Sequence, residues 1–120
     1  RRIIIEPDSA AVAFASDRTL LRRVLGNMVK NALEASSTGE TVTLGCHAGA
    51  DFIEFHVHNP AVMPRTVQLQ IFQRSFSTKG GGRGLGTYSM KLLSERYLNG
   101  KVYFTSQLDQ GTTFYARYPR

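Results

Sequence analysis

A glycine-rich segment in the second half of the chain constrains the fold more than any other feature of the sequence. Five of the seven residues 80–86 are glycine. Glycine at this density opposes both helix and strand, because it loses more backbone freedom on ordering than any other residue. Residues 75–84, which contain four of these glycines, are therefore predicted to be irregular, with regular elements on either side.

The apolar patterns around this segment predict an α+β fold. Alternating apolar residues predict six strands, over residues 2–6, 11–15, 41–47, 51–58, 101–106 and 112–118. Helical spacing predicts three helices, over about 16–36, 67–73 and 85–98. This order predicts a two-layer α/β sandwich, in which a mixed, mainly antiparallel sheet of about five or more strands carries about three helices on one face.

Length and composition exclude several classes of protein. The 120 residues allow a single domain, 1–120. No apolar run is long enough to span a bilayer, and nothing at the N-terminus is typical of a signal peptide. The single cysteine, Cys46, excludes an internal disulfide and fits a reducing compartment. We therefore expect a soluble, cytoplasmic domain.

The charge distribution favours an anionic partner. The net charge is +6, and no acidic residue lies between Glu54 and Glu95. That interval contains five basic residues, Arg65, Arg74, Lys79, Arg83 and Lys91. Charge alone leaves nucleic acid, anionic lipid and nucleotide phosphates open. The aromatic residues do not interleave with this cluster, which makes single-stranded nucleic acid the weaker interpretation.

The first long helix presents one apolar and one polar face. The apolar stripe, which is expected to enter the core, consists of Leu21, Leu25, Met28, Val29 and Ala32. The roughly opposite face carries Asn27, Lys30, Asn31 and Glu34. This face is either a solvated surface or a polar ledge whose amide oxygens ligate a hard cation such as Mg²⁺.

The glycine-rich segment has the composition of a phosphate-binding loop. Ser77, Thr78 and Lys79 offer two hydroxyls and an ammonium, and the glycines allow close backbone approach. Residues 84–86 then open a helix, whose free N–H groups favour phosphate. Neither the dinucleotide-binding glycine pattern nor the P-loop pattern fits the spacing. The alternative is a flexible surface loop.

Four motifs in the right order resemble those of the ATP-binding catalytic domain of bacterial sensor histidine kinases, within the superfamily of gyrase, Hsp90 and MutL. Residues 25–35 resemble the N box, and 72–79 resemble the F box and the start of the ATP lid. Residues 82–86 resemble the second glycine box, and 111–114 the final Gly-Thr strand. The resemblance covers nearly the whole chain and implies a Bergerat-type ATP-binding fold.

The resemblance also implies roles for individual residues. Asn31 would ligate Mg²⁺, with Asn27 and Lys30 beside it as the other catalytic residues. The implied ATP-binding residues are Asn31, Asn59, Ala61, Met63, Phe76, Ser77, Thr78, Lys79, Gly82, Arg83, Gly84, Leu85, Gly86 and Thr112. Within this set, the lysine, the hydroxyls and the glycine backbone would hold phosphates, and Thr112 would help to fix the adenine.

The first glycine box departs from the family pattern. The family has Asp-x-Gly-x-Gly, whereas this chain has Asn59 at the aspartate position, Ala61 at the first glycine and no second glycine. A carboxamide oxygen still accepts from the adenine amino group, but more weakly than a carboxylate.

The implied reaction is phosphoryl transfer. Superfamily members that hydrolyse ATP carry a general-base glutamate where this chain has Asn27, and an amide cannot take the proton from water. The family's acceptor histidine lies on a preceding helical hairpin, and none of the histidines 47, 56 and 58 has that context. We therefore expect a fragment of a longer kinase that acts on its own dimerisation domain, upstream of a response regulator.

Three alternatives stay open: a nucleotide-binding-impaired interaction module of the same fold, a superfamily ATPase, and a serine kinase. We expect no nucleic-acid partner and no direct membrane contact by this domain. The resemblance is compatible with a parent protein anchored in the inner membrane.

Overall fold

The computed structural model describes residues 2–5, 18–72 and 84–119, with side chains over 19–72 and 87–119. The helices are α1 (Arg18–Ala35), α2 (Arg65–Gln68) and α3 (Gly84–Leu92), and α3 continues into a π-helical turn, Leu93–Tyr97. The strands are β1 (Arg2–Ile5), β2 (Thr41–Ala48), β3 (Phe52–Asn59), β4 (Lys101–Gln107) and β5 (Gly111–Pro119).

The described strands form one sheet in the order β1-β2-β3-β5-β4. β1 and β2 are parallel, and every other pair is antiparallel. α1 packs against β2, β3 and α3, which makes the two-layer α+β sandwich that was predicted. The predicted strand over 11–15 lies outside the described residues.

The core lies between α1, α3 and one face of the sheet. The line of α1 that is buried most deeply consists of Val24, Met28 and Ala32. Val24 was missing from the predicted stripe, whereas Leu21 and Leu25 are only partly buried against the core. The buried residues of α1 are spaced four apart around Met28. The surface of α1 that contacts the sheet is therefore narrower than the apolar face of the helix.

Several element boundaries differ from the predictions. β3 continues through Asn59, which was expected to open a loop. α2 begins at Arg65, earlier than predicted, because the carbonyl of Pro64 accepts from the backbone N–H groups of Val67 and Gln68. The predicted stop after α3 is confirmed, since Asn99 adopts a left-handed backbone with φ of 56°.

The face of the sheet away from the helices carries a charged and aromatic cluster. The Tyr103 hydroxyl donates to a Glu54 carboxylate oxygen that also accepts from Nε of Arg117 at 3.0 Å. The rings of Tyr103 and Tyr115 stack with centroids 4.8 Å apart. Arg117 lies 4.0 Å over the ring of Phe52. These contacts leave Glu54 only 9% exposed on an otherwise open face.

Among the described helices, none combines the length and apolarity that a bilayer span requires.

Candidate functional site

Two buried polar residues lie opposite each other where β3 ends and β5 begins. Asn59 is 2% exposed and Thr112 is 3% exposed, and the two are cross-strand partners. Directly opposed residues in an antiparallel pair project to the same face, with Cβ atoms about 5 Å apart. Both were predicted to contact adenine, and the structure brings them together.

A chain of hydrogen bonds fixes the loop that follows β3. Thr112 Oγ1 donates to the carbonyl of Ala61 at 2.8 Å and lies 2.8 Å from Ser106 Oγ. Ser106 Oγ accepts from the backbone N–H of Met63, also at 2.8 Å. The predicted residues Ala61 and Met63 are therefore held by two hydroxyls, Ala61 by that of Thr112 and Met63 by that of Ser106.

Two residues of this cluster were not predicted. Ser106 lies on β4, at a position that alternation with Val102 and Phe104 directs to the helix side. A serine in that pattern is a polar residue where an apolar one is expected, and this signal was available in the sequence. Gln68 of α2 donates through Nε2 to the Met63 carbonyl at 2.8 Å, a contact that no sequence pattern indicates.

The turn before β5 brings the backbone of this cluster into close approach. Gly111 has a φ of +76°, in the left-handed region. A Cβ at this position would contact the carbonyl oxygen of Asn59 and lie 2.8 Å from the Cα of Pro60. Glycine is therefore required here both by its backbone conformation and by the neighbouring loop.

The carboxamide of Asn59 is buried. Within the described part of the chain, no side chain or backbone group hydrogen-bonds this carboxamide. An unpaired buried amide costs on the order of 1–3 kcal/mol, and native proteins rarely retain one without a reason.

Two residues of the polar ledge on α1 are partly accessible to solvent, as a ligand-binding residue must be. Asn27 and Asn31 are half-buried, whereas Lys30 is exposed. Within the described residues, neither asparagine side chain makes a hydrogen bond or ion pair. Their amide oxygens are hard donors of the kind that Mg²⁺ takes, so the donor chemistry at Asn31 fits the ion.

The predicted phosphate loop falls largely outside the described residues. This applies to Phe76, Ser77, Thr78, Lys79, Gly82 and Arg83. The expectation that Gly84, Leu85 and Gly86 open a helix is confirmed, since they form the first turn of α3. The Thr87 hydroxyl donates to the Ile71 carbonyl at 2.5 Å and joins the two flanks of the undescribed segment.

The three histidines lie on strands. His47 is on β2, and His56 and His58 are on β3. His58 Nε2 is 2.6 Å from the Gln110 carbonyl, and the His56 ring packs on Tyr115. In the parts of the chain that the structure describes, no three potential metal-ligating side chains cluster together.

A family model described as histidine kinase-, DNA gyrase B- and HSP90-like ATPase matches residues 16–120. The chain belongs to this family. The resemblance found in the four sequence motifs is thereby confirmed, and the family is one of ATP-binding domains.

Two curated relatives share about one third of their aligned residues with this chain. A probable C4-dicarboxylate sensor kinase of Halalkalibacterium halodurans is 32% identical over 99% of this chain and 24% of its own length. Histidine protein kinase SaeS of Staphylococcus aureus is 33% identical over 84% of this chain and 31% of its own length. The chain thus spans about a quarter to a third of these relatives.

A solved structure of the same family supports the fold. Full-length ShkA in complex with AMPPNP superposes with a TM-score of 0.81 at 27% identity, over 98% of this chain and 25% of ShkA. The catalytic domain of histidine kinase ThkA superposes with a TM-score of 0.83 at 25% identity, over 98% of this chain and 76% of that chain. The fold described above is therefore that of histidine kinase catalytic domain structures.

Proposed function

We propose that this chain is a single domain of a longer sensor kinase, which binds Mg-ATP and donates the γ-phosphoryl group to a histidine on a separate dimerisation domain. An imidazole nitrogen of that histidine would attack the γ-phosphorus while the bond to the bridging oxygen breaks and ADP leaves. The phosphohistidine would then serve a response regulator. The nucleotide part of this proposal rests on the buried carboxamide of Asn59 beside Thr112, which has no hydrogen-bond partner among the described residues.

The adenine part of the proposal follows from the hydrogen-bonding need of Asn59. An adenine amino group offers the donor that this carboxamide oxygen lacks within the described protein. Ala61 and Met63 would line the same subsite, because both are held against Thr112 and Ser106. AMPPNP in the related ShkA structure is an ATP analogue, which supports ATP as the ligand class.

The α1 ledge would hold the metal and the phosphates. Asn31 would supply an amide oxygen to Mg²⁺, with Lys30 next to it in the sequence and Asn27 about one helical turn away. The bound ion would neutralise part of the triphosphate charge. Lys79, the hydroxyls of Ser77 and Thr78, Arg83 and the glycines that lead into α3 would hold the remaining phosphate oxygens.

Transfer is favoured over hydrolysis by the residue at position 27. An amide neither takes nor gives a proton at neutral pH, so Asn27 cannot activate water as a general base. Phosphoryl transfer depends instead on positioning and charge neutralisation, which the ledge and the loop can provide. The three histidines of the chain lie on strands, so the acceptor is expected on the dimerisation domain.

Substitutions at Asn59 test nucleotide binding. Asn59→Leu removes a buried amide that has no hydrogen-bond partner within the described ranges, so we expect it to raise the free energy of unfolding without nucleotide by about 1 kcal/mol. The same change should weaken ATP binding roughly tenfold or more, measured by calorimetry, because the amino group then lacks its acceptor. Asn59→Asp should bind ATP at least as tightly as the unsubstituted domain, since a carboxylate is the stronger acceptor.

Unchanged ATP affinity in Asn59→Leu would place the base elsewhere. A folded, unsubstituted domain that binds no adenine nucleotide would instead support the interaction-module alternative.

Substitutions at Asn31 test the kinase assignment. Mixed with the histidine hairpin of its parent, the domain should transfer phosphate in trans and slowly, because the tether is absent. Asn31→Ala should abolish transfer and weaken ATP binding more in Mg²⁺ than in EDTA. Asn31→Asp keeps an oxygen ligand, and we expect reduced but metal-dependent activity.

The product distinguishes the remaining candidates. Acid-labile phosphate on the hairpin indicates phosphohistidine, whereas acid-stable phosphate indicates a serine kinase. Steady phosphate release by the domain alone would indicate an ATPase, and transfer that is unchanged in Asn31→Ala would remove this residue from the site.

A further inference from the structure

A row of ionisable side chains crosses four strands on the face of the sheet away from the helices. The strand register places these residues opposite one another in turn, from β2 to β4: His47, Glu54, Arg117 and Lys101. We call them the ionisable row. Directly opposed side chains of antiparallel strands have Cβ atoms about 5 Å apart. The carboxylate of Glu54 can offset only one of the two fixed cations, Arg117 and Lys101, which are neighbours across β5 and β4.

Arg117 is held in one orientation by two contacts. Its Nε donates to a Glu54 oxygen at 3.0 Å, and its guanidinium carbon lies 4.0 Å from the centroid of the Phe52 ring. The same Glu54 oxygen also accepts from the Tyr103 hydroxyl. The Arg117 side chain nevertheless remains 44% exposed. The guanidinium is therefore fixed on one side and open to solvent on the other.

The fixed guanidinium keeps donors for a ligand. An arginine carries five N–H donors, and the one at Nε makes the only hydrogen bond between Arg117 and the described residues. Lys101 is exposed and, within the described ranges, has no hydrogen bond or ion pair. Like charges directly opposite each other destabilise a sheet, so a bound anion would offset this repulsion. The fork of the two Nη groups matches a carboxylate, which can accept two parallel hydrogen bonds.

We propose that Arg117 and Lys101 form a docking site for an acidic segment of a partner protein. One carboxylate would accept paired hydrogen bonds from the Nη groups of Arg117, and a neighbouring carboxylate would pair with Lys101. Arg117 loses little freedom on binding, because Glu54 and Phe52 already hold it. Arginine and tyrosine are enriched among the residues that dominate protein interfaces, and Tyr103 is 39% exposed two positions along β4 from Lys101. The proposal does not depend on the nucleotide site.

Two other anionic partners fit this face less well. Bases of single-stranded nucleic acid need ring faces on which to stack. Here Tyr103 and Tyr115 stack on each other at 4.8 Å, and Arg117 covers a face of Phe52. Attachment to an anionic membrane takes clusters of about four to eight cations. The charge pattern therefore favours an acidic protein segment.

Titration of the folded domain with octaglutamate, a peptide of glutamate residues alone, tests the proposal. Proton–nitrogen correlation spectra at about 0.15 M salt, where long-range attraction is screened, locate the binding face and give the affinity there. We expect shifts around Arg117 and Lys101. Lys101→Gln should weaken binding at this face about threefold, because an exposed ion pair is lost. Arg117→Lys keeps the charge but loses the paired hydrogen bonds, so it should weaken binding about tenfold.

Two controls separate docking from bulk charge and from folding. Arg22→Gln removes one exposed positive charge from α1, in the helical layer, and should leave the affinity at the open face unchanged. Urea unfolding shows whether Arg117→Lys is folded, since Arg117 also pairs with Glu54. Where that variant fails to fold, Lys101→Gln decides the question, because no described residue hydrogen-bonds Lys101.

Three results would overturn the proposal. Octaglutamate that shifts no resonance on this face leaves the site without a ligand of the expected chemistry. Equal weakening by Lys101→Gln and Arg22→Gln is the pattern of unspecific attraction to a domain of net charge +6. Phosphatidylserine vesicles and single-stranded oligothymidylate are measured beside the peptide. Tighter binding of either one, weakened by Lys101→Gln, would replace the acidic protein by a membrane or a nucleic acid.

Discussion

On the open face of the sheet, the pKa of Tyr103 is determined by its immediate neighbours. Burial and the hydrogen bond to Glu54 raise the pKa of Tyr103 from 10.0 to about 12. The Glu54 carboxylate oxygen that accepts from the Tyr103 phenol also accepts from Arg117. The protonated phenol is thus the form that the folded domain stabilises.

Alkaline unfolding should report this hydrogen bond. Between pH 10 and about 12 the unfolded chain has released the Tyr103 proton while the folded chain still holds it. Stability should therefore be fully present below pH 10 and fall as the pH rises through this window. Urea unfolding across the window should show a smaller loss in Tyr103→Phe than in the unsubstituted domain. An equal loss in both would mean that this phenol is not linked to folding.

Elements were predictable from the sequence where one face of each is buried. The alternation of apolar and polar residues predicted β2 to β5, because successive side chains of a half-buried strand point alternately to the core and to solvent. The π-helical turn over 93–97 was not predictable, since one extra residue per turn leaves no distinct mark in a short apolar pattern. The hydrogen bond between Ser106 and Met63 was not predictable either, because the two residues are 43 positions apart in the sequence.

The turn between β4 and β5 offers a test of how tightly that loop is held. Gly111→Ala should lower the free energy of unfolding by more than about 1 kcal/mol, because it adds a steric contact to an unfavourable φ. Gly39→Ala is a matched control, since Gly39 has a φ of +90° but no atom near the added Cβ. Gly111→Ala should also weaken ATP binding, whereas Gly39→Ala should not. Equal effects of the two changes on stability and binding would contradict the close approach.

The whole molecule combines a family fold with a departure from the family's first glycine box, at Asn59 and Ala61. Motif order and spacing were sufficient to predict the two-layer sandwich and the family. They could not show that Asn59 is buried or that the Ser106 and Thr112 hydroxyls hold the following loop, because both depend on tertiary contacts. The net charge of +6 was readable directly, and under the proposed function it predicts that the strength of ATP binding depends on ionic strength.

Salt should separate the phosphate contribution to binding from the base contribution. The Debye length falls from about 10 Å at 0.1 M salt to about 3 Å at 1 M. ATP affinity at constant Mg²⁺ should therefore drop several-fold over this range, whereas adenosine, which is uncharged, should bind almost equally throughout. Calorimetry of both ligands gives the comparison, and parallel losses would show that the basic residues do not act on the phosphates.

The hydrogen bond from Thr87 to Ile71 should allow the number of residues between them to change without disturbing the packing of the core. Because a buried contact fixes the two flanks, the residues between them connect points whose separation does not depend on their number. Each doubling of such a connection costs only about 0.6 kcal/mol in closure entropy. Insertions or deletions within 73–83 should therefore be tolerated by folding, so that this segment can diverge in length among homologues while the sandwich stays the same.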